Sequence, residues 1–330
     1  MSGARFDVEV AGPDGRAAPS QDVFPLVFAC GSPGGPLADA LDWVAAERDA
    51  LGVRLRRHGA LLFRGFPVRS DLDFDAFIRA FGWPNFTYAE SLSNAVRVSR
   101  TERVFTANEA PPSATIRLHH EMAQTPIFPS RLFFFCEEPA RVGGATSLCR
   151  SDLLFRELEQ RFPAFASDCE KHGLLYSLVM PPQDDPESAM GRSWRSTFGV
   201  ETQSEAEDRM KRLGYTWEWL EDGCLRTTTP VLPAVRSLGD GRKAFFNQLI
   251  AARSWKDRRN DPERAVTLGD GRPLDPQAWE AVQELAEALA VDLEWQQGDV
   301  ALVDNDAVMH GRRSFEGTRR VLASLVAREA

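Results

Sequence analysis

The chain has 330 residues, 43 % of them hydrophobic and 10 % aromatic, which supports a folded core and excludes disorder. Its formal net charge of −9 excludes a nucleic-acid partner, because phosphate binding needs a basic face. Five cysteines without a CxxC pair point to a reducing cytoplasm, and the absence of a long apolar run gives no sign of a signal peptide or membrane span.

Residues 1–35 are rich in Gly, Pro and Ala and read as an irregular or strand-containing lead-in. Pro36 opens a helix whose apolar positions Leu37, Leu41, Val44 and Ala45 recur at helical spacing, with Gly52 as its expected stop. His58 to Gly65 reads as a short buried strand, and Asp71 to Phe81 places Leu72, Phe74, Phe77, Ile78 and Phe81 on one core-facing stripe. From Arg117 onward strand signals dominate, at Arg131 to Cys136, Ala145 to Cys149, Leu174 to Met180, Lys243 to Asn247, Asp299 to Asp304 and Arg320 to Val326. Helices interrupt them at Asp152 to Arg161 behind Ser151, at Glu205 to Leu213, and at Pro276 to Ala290 behind Asp275. This pattern predicts a mainly β protein with flanking helices, arranged as a two-sheet jelly roll. No low-complexity linker divides residues 1–330, which read as one domain. The aromatic stretch 180–230 is too long for a turn and reads either as a lid over the site or as a packing insert.

Two distant segments carry the chemistry. In Leu118-His119-His120-Glu121-Met122 an extended backbone puts His119 and Glu121 on one face and His120 on the other. With His310 they make a two-histidine, one-carboxylate set, which fills one face of an octahedral Fe(II) and leaves the other open. His58 and His172 have no carboxylate at ligand spacing and read as turn or interior histidines. Arg117 lies two residues before His119 and is a candidate to hold an anionic group of a substrate, while Asn247 is a candidate pocket hydrogen-bonder or a turn cap.

An ordered series of blocks accompanies these residues: His58 to Phe66, Leu118 to Met122, Arg131 to Cys136, Gly143-Gly144-Ala145-Thr146, Ser193-Trp194, Ala244 to Asn247, and Asp304 through His310-Gly311-Arg312 to Arg319-Arg320. In this order the sequence resembles the taurine dioxygenase and clavaminate synthase-like family of Fe(II)/2-oxoglutarate oxygenases. The resemblance implies a double-stranded β-helix (cupin-like) core with His119, Glu121 and His310 as iron ligands. It further implies that Thr146 and Arg320 bind the far carboxylate of 2-oxoglutarate, with Arg319 as the competing arginine. Retention of Glu121 disfavours halogenation, since halogenating relatives replace that carboxylate. The activity implied is hydroxylation of a small polar substrate, such as a free or carrier-tethered amino acid, using Fe(II), 2-oxoglutarate and O2. Desaturation or cyclisation by the same class is the near alternative. A zinc hydrolase or a non-catalytic metal-binding jelly roll is the distant one, and the chain lacks the His-Glu-x-x-His of zinc proteases.

Overall fold

The computed structural model describes residues 6–11, 23–31, 34–87, 91–92, 97–107, 110–188, 191–254, 258–261 and 263–328. Sheets dominate, with several helices around them. The major sheet has seven strands in the order Val8–Ala11, Leu26–Cys30, Ala60–Arg64, Val300–Asp304, Arg131–Glu138, Arg320–Val326 and Phe105–Thr106. The minor sheet has four: Val291–Leu293, Thr146–Arg150, Val308–Arg312 and Ile116–His119.

The central strands of the major sheet are apolar at consecutive positions because both of their faces are buried. One face carries Leu61, Phe63, Phe133, Phe135, Val300, Leu302 and Leu322, and it is covered by Ala40, Val44, Leu51 and Leu55 of the Leu37–His58 helix and by Phe74, Phe77 and Ile78 of the Asp71–Ala80 helix. The alternate residues Leu62, Leu132, Phe134, Ala301, Val303, Val321, Ala323 and Leu325 pack with Leu148, Leu293 and Val308 of the minor sheet. The two sheets therefore face one another around a shared core.

A third, four-stranded sheet joins Thr216–Trp219, Leu225–Thr228, Leu174–Met180 and Val266–Leu268. With the Trp194–Phe198 and Gln203–Leu213 helices it forms a unit having its own core of Met180, Trp194, Phe198, Met210, Tyr215 and Leu225. Helices and strands thus make up about half of the stretch 180–230.

Several local expectations are corrected. The first helix runs through Gly52 to His58, because the left-handed turn that stops it belongs to Gly59, at φ 79°. Leu72 sits in the first turn of its helix and is 70 % exposed, off the buried stripe. Ser151 is helical, and its hydroxyl donates to the carbonyl of Ala307 without capping the helix. Only Lys243–Ala244 of the Lys243 to Asn247 stretch is strand. The parallel pair Leu26–Cys30 and Ala60–Arg64, joined through the first helix, is a βαβ crossover on the edge of an otherwise antiparallel sheet.

Candidate active site

The site begins at the pairing of the Ile116–His119 and Val308–Arg312 strands, where His310 stands opposite His119 and their ring centroids lie 4.3 Å apart. The register shifts between His310 and Arg312, and Gly311 makes this possible. A Cβ at that position would lie 2.6 Å from the carbonyl oxygen of Ile116 and 2.7 Å from the Ser147 hydroxyl, so a larger residue forces the strands apart.

Glu121 reaches the pair differently from the extended path expected of it. The strand ends at His119, and the chain turns with Met122 at φ 59°, a left-handed value that is unusual for a non-glycine residue. Asn305 fixes that turn: its Oδ1 accepts from the Glu121 N–H at 2.8 Å, and its Nδ2 donates to the carbonyls of Glu121 and Pro129. His120 points away, donating from Nδ1 to the Asn305 carbonyl at 2.6 Å and packing against Phe246. As a result, one donor atom from each of His119, Glu121 and His310 falls within 4.8 Å of the others, with His310 Nε2 at 3.4 Å from Glu121 Oε2.

The protonation states suit a cation. Desolvation, and then the neighbouring His310, hold His119 down to about 4, so its imidazole is neutral at physiological pH. Its Nδ1–H donates to the Arg117 carbonyl at 2.8 Å, leaving the Nε2 lone pair for a metal. Burial pushes the Glu121 carboxyl up, but the hydrogen bond from His310 and the charge of Arg97, 3.7 Å away, outweigh it and leave the group at about 2. Two imidazoles and a carboxylate of this kind fit ferrous iron. His58 and His172 lie elsewhere, on the Val23 carbonyl and beside Asp168 and Asp270 respectively.

A small cavity of about 50 Å³ opens beside the triad, lined by His119, Glu121, His310, Thr146, Arg312 and Arg319 and floored by Val321, Ala323 and Leu325. Arg320 is not in it. Its side chain is 57 % exposed and pairs with Glu137 and Glu138 on the opposite face, which corrects the expectation for that residue. Strand alternation is the right rule, applied in the wrong register: Val321, Ala323 and Leu325 face inward, and the residue in phase with them is Arg319. The Arg319 guanidinium donates to the Gly144 carbonyl at 2.8 Å and lies 3.4 Å from the Thr146 hydroxyl, which also accepts from the indole of Trp295. Burial and then the charge of Arg312 lower Arg319 to about 10, so it stays cationic, and no carboxylate among the described residues pairs with it. Arg312, which is buried, also lines the cavity, but its guanidinium is engaged by the carbonyls of Ala110, Pro111 and Ala114.

A second cavity, of about 460 Å³, shares His119, Glu121, Arg97 and Ile116 with the first. Arg117 lines it, in phase with His119 on the same strand. Thr197, Phe198, Tyr215 and Thr227 of the 180–230 stretch form one wall of it. Asn247 does not reach this cavity. It is buried, donates to the Ala234 carbonyl and accepts from the Leu249 N–H, so it starts a short helix, and its neighbour Gln248 lines the wall instead. Trp217 and Trp219 do not line the cavity either; Trp219 bonds Glu207 and stacks edge-on to Trp194. Sequence reasoning missed Arg97 and Tyr215, which lie far from any motif. It also passed over Asn305, although that residue stands inside the block leading to His310.

The family model of the taurine catabolism dioxygenase TauD, TfdA family matches residues 22–326. A clavaminate synthase-like protein of Arabidopsis thaliana is 44 % identical over 284 residues, 86 % of each chain. The dapdiamide synthesis protein DdaC of Enterobacter agglomerans is 26 % identical over 285 residues, covering 82 % of this chain and 83 % of that one. Among solved structures, PvcB of Pseudomonas aeruginosa superposes with a TM-score of 0.54 at 13 % identity, over 100 % of this chain and 94 % of its own. PvcB is described as an Fe, alpha-ketoglutarate dependent oxygenase from an isonitrile synthetic pathway. With a family match spanning nearly its whole length, this chain belongs to the TauD/TfdA family and is a non-haem iron dioxygenase that uses Fe(II), 2-oxoglutarate and O2.

Proposed function

We propose that the enzyme hydroxylates an unactivated C–H bond of a small polar substrate, a free or carrier-tethered amino acid being the class expected, and releases succinate and carbon dioxide. The two facing sheets are read as a double-stranded β-helix, within a single domain whose 180–230 stretch closes over the substrate as a lid. The observation that carries the cosubstrate assignment is Arg319: a half-buried cation lining the small cavity without a carboxylate partner among the described residues, beside a converged His119, Glu121 and His310. A partly desolvated charge facing a cavity without a counter-ion is complementary to an anion there. Its guanidinium meets a carboxylate through parallel hydrogen bonds, and the Thr146 hydroxyl adds a third donor.

In this reading His119, Glu121 and His310 hold the iron, and bound iron with 2-oxoglutarate and dioxygen supplies the oxidising chemistry. The protein's own share is positional. Arg319 and Thr146 fix the far end of the cosubstrate, and the apolar floor of Val321, Ala323 and Leu325 excludes water from it. The larger cavity, with Arg117 on its wall, orients the substrate next to the metal ligands. Sequence similarity to the dapdiamide synthesis protein DdaC supports a role in specialised metabolism.

The test is succinate formation from 2-oxoglutarate under Fe(II) and air. The wild type forms succinate and His119→Ala does not. Arg319→Ala raises the apparent KM for 2-oxoglutarate by about 10- to 100-fold, as expected for losing charge-assisted hydrogen bonds, while Arg320→Ala changes it less than about twofold, as for an exposed ion pair. A zinc hydrolase or a simple binder forms no succinate. Absence of succinate from the wild type, or equal impairment by the two arginine variants, overturns the reading.

A further inference from the structure

The large cavity has a charge pattern that narrows what it admits. Its described lining holds two guanidinium groups, Arg97 and Arg117, and a single carboxylate, Glu121, which belongs to the metal triad. In a chain of net charge −9 this is a local reversal of sign. Arg97 already lies 3.7 Å from Glu121 and donates to the Thr106 carbonyl. Arg117 differs: it is partly buried, shares the cavity face of its strand with His119, and its guanidinium has no hydrogen bond or ion pair with any described residue. Only its backbone carbonyl is engaged, by the His119 ring.

Across the same cavity stands Tyr215. Its side chain is buried among Trp194, Phe198 and Met210, its ring lies edge-on to Phe198, and burial raises its phenol well above the ordinary value, so the group stays a hydrogen-bond donor. That hydroxyl, like the Arg117 guanidinium, has no partner among the described residues, and it too lines the cavity. A free cation beside the metal ligands and a free neutral donor lining the same cavity are complementary to a carboxylate.

We propose that Arg117 and Tyr215 form the recognition subsite for a carboxylate of the substrate, and that the substrate is a free small organic acid, amino acids included. This rests on the oxygenase reading of the adjoining iron site. It also decides against the tethered alternative. An amino acid carried as a thioester has lost the α-carboxylate that this subsite would pair, and its cationic amine then faces Arg117 without that compensation.

The experiment starts with anaerobic enzyme, Fe(II) and 2-oxoglutarate, which give the visible charge-transfer band of the chelate. Free L-amino acids and short-chain hydroxy and aliphatic acids are then added, each beside its methyl ester, and perturbation of the band is titrated. At least one acid perturbs the band, and its ester binds weaker by about tenfold or more, the value of a charge-assisted hydrogen bond. In Arg117→Gln the ratio of acid to ester affinity collapses toward one, in Arg117→Lys it is partly restored, and the isosteric Tyr215→Phe lowers it by about threefold or more. An ester that binds as well as its acid, an acid-to-ester ratio unchanged in Arg117→Gln, or a chelate that none of the acids perturbs overturns the proposal. A wild-type enzyme without the chelate band strikes instead at the oxygenase reading beneath it.

Discussion

Asn305 donates nothing to a metal, yet its side chain makes three hydrogen bonds to the backbone around Glu121, and its carbonyl anchors His120. It is fully buried, so its loss leaves the Glu121 turn, with Met122 held left-handed, without a substitute partner. Asn305→Ala is expected to lower Fe(II) affinity by about 10- to 100-fold, as for other residues that orient metal ligands, measured by anaerobic iron titration. The triad residues stand out in the sequence because ligand chemistry restricts residue type. The arginine proposed for the cosubstrate is harder to place: Arg319 and Arg320 are chemically identical, and only the phase of the following strand separates them. That phase is ambiguous in the sequence, because Val321 to Val326 is buried on both faces and shows no alternation of polarity. Arg117 and Asn247 illustrate the same limit from the other side. One lies in phase with a ligand and reaches the cavity, whereas the other caps a turn that periodicity does not reveal.

The strands that meet at His119 and His310 depend on a close approach that one glycine allows. Gly311→Ala places a methyl group 2.6 Å from the Ile116 carbonyl, a backbone atom that cannot swing aside as a side chain can. It is expected to cost about 1–3 kcal/mol, typical of overpacking, and to lower iron affinity together with the melting temperature. Calorimetry and iron titration check the two effects separately. Elements with strong internal signals were readable in advance, among them Leu174–Met180, Arg320–Val326 and the Asp275-capped helix Pro276–Leu289. Those fixed by tertiary contacts were not. The Leu37–His58 helix passes through Gly52 because its buried face continues to Leu55, and the Pro163–His172 helix is short, carries charge and follows directly on another helix. Residues 180–230 announced an unusual segment by composition alone; their division into helices and strands comes from the separate core they build.

At the level of the whole molecule, buried charge is distributed unevenly. Asp304 ends the central Val300–Asp304 strand, and burial, followed by the proximity of Asp306, raises its carboxyl to about 7. An acid whose folded pKa lies above its unfolded value contributes stability below the unfolded value, near 3.8, and loses that contribution as pH rises through 7. Asp304→Asn keeps an oxygen to accept from the Asp306 N–H. The variant is therefore expected to gain stability over the wild type progressively between about pH 4 and pH 7, read as a gap in denaturation midpoints that widens over that range and then levels off. A gap independent of pH would contradict it.

The small cavity takes one wall from each sheet: His119, Thr146 and His310 from the minor sheet, Leu132, Phe134 and Val321 from the major. In the proposed reading, a diacid held at one end beside the minor-sheet histidines and at the other by Arg319 adds a polar brace between layers that meet mainly through apolar side chains. A cosubstrate bound across both layers would therefore stabilise the folded sandwich as a whole, and the melting temperature is expected to rise with its concentration.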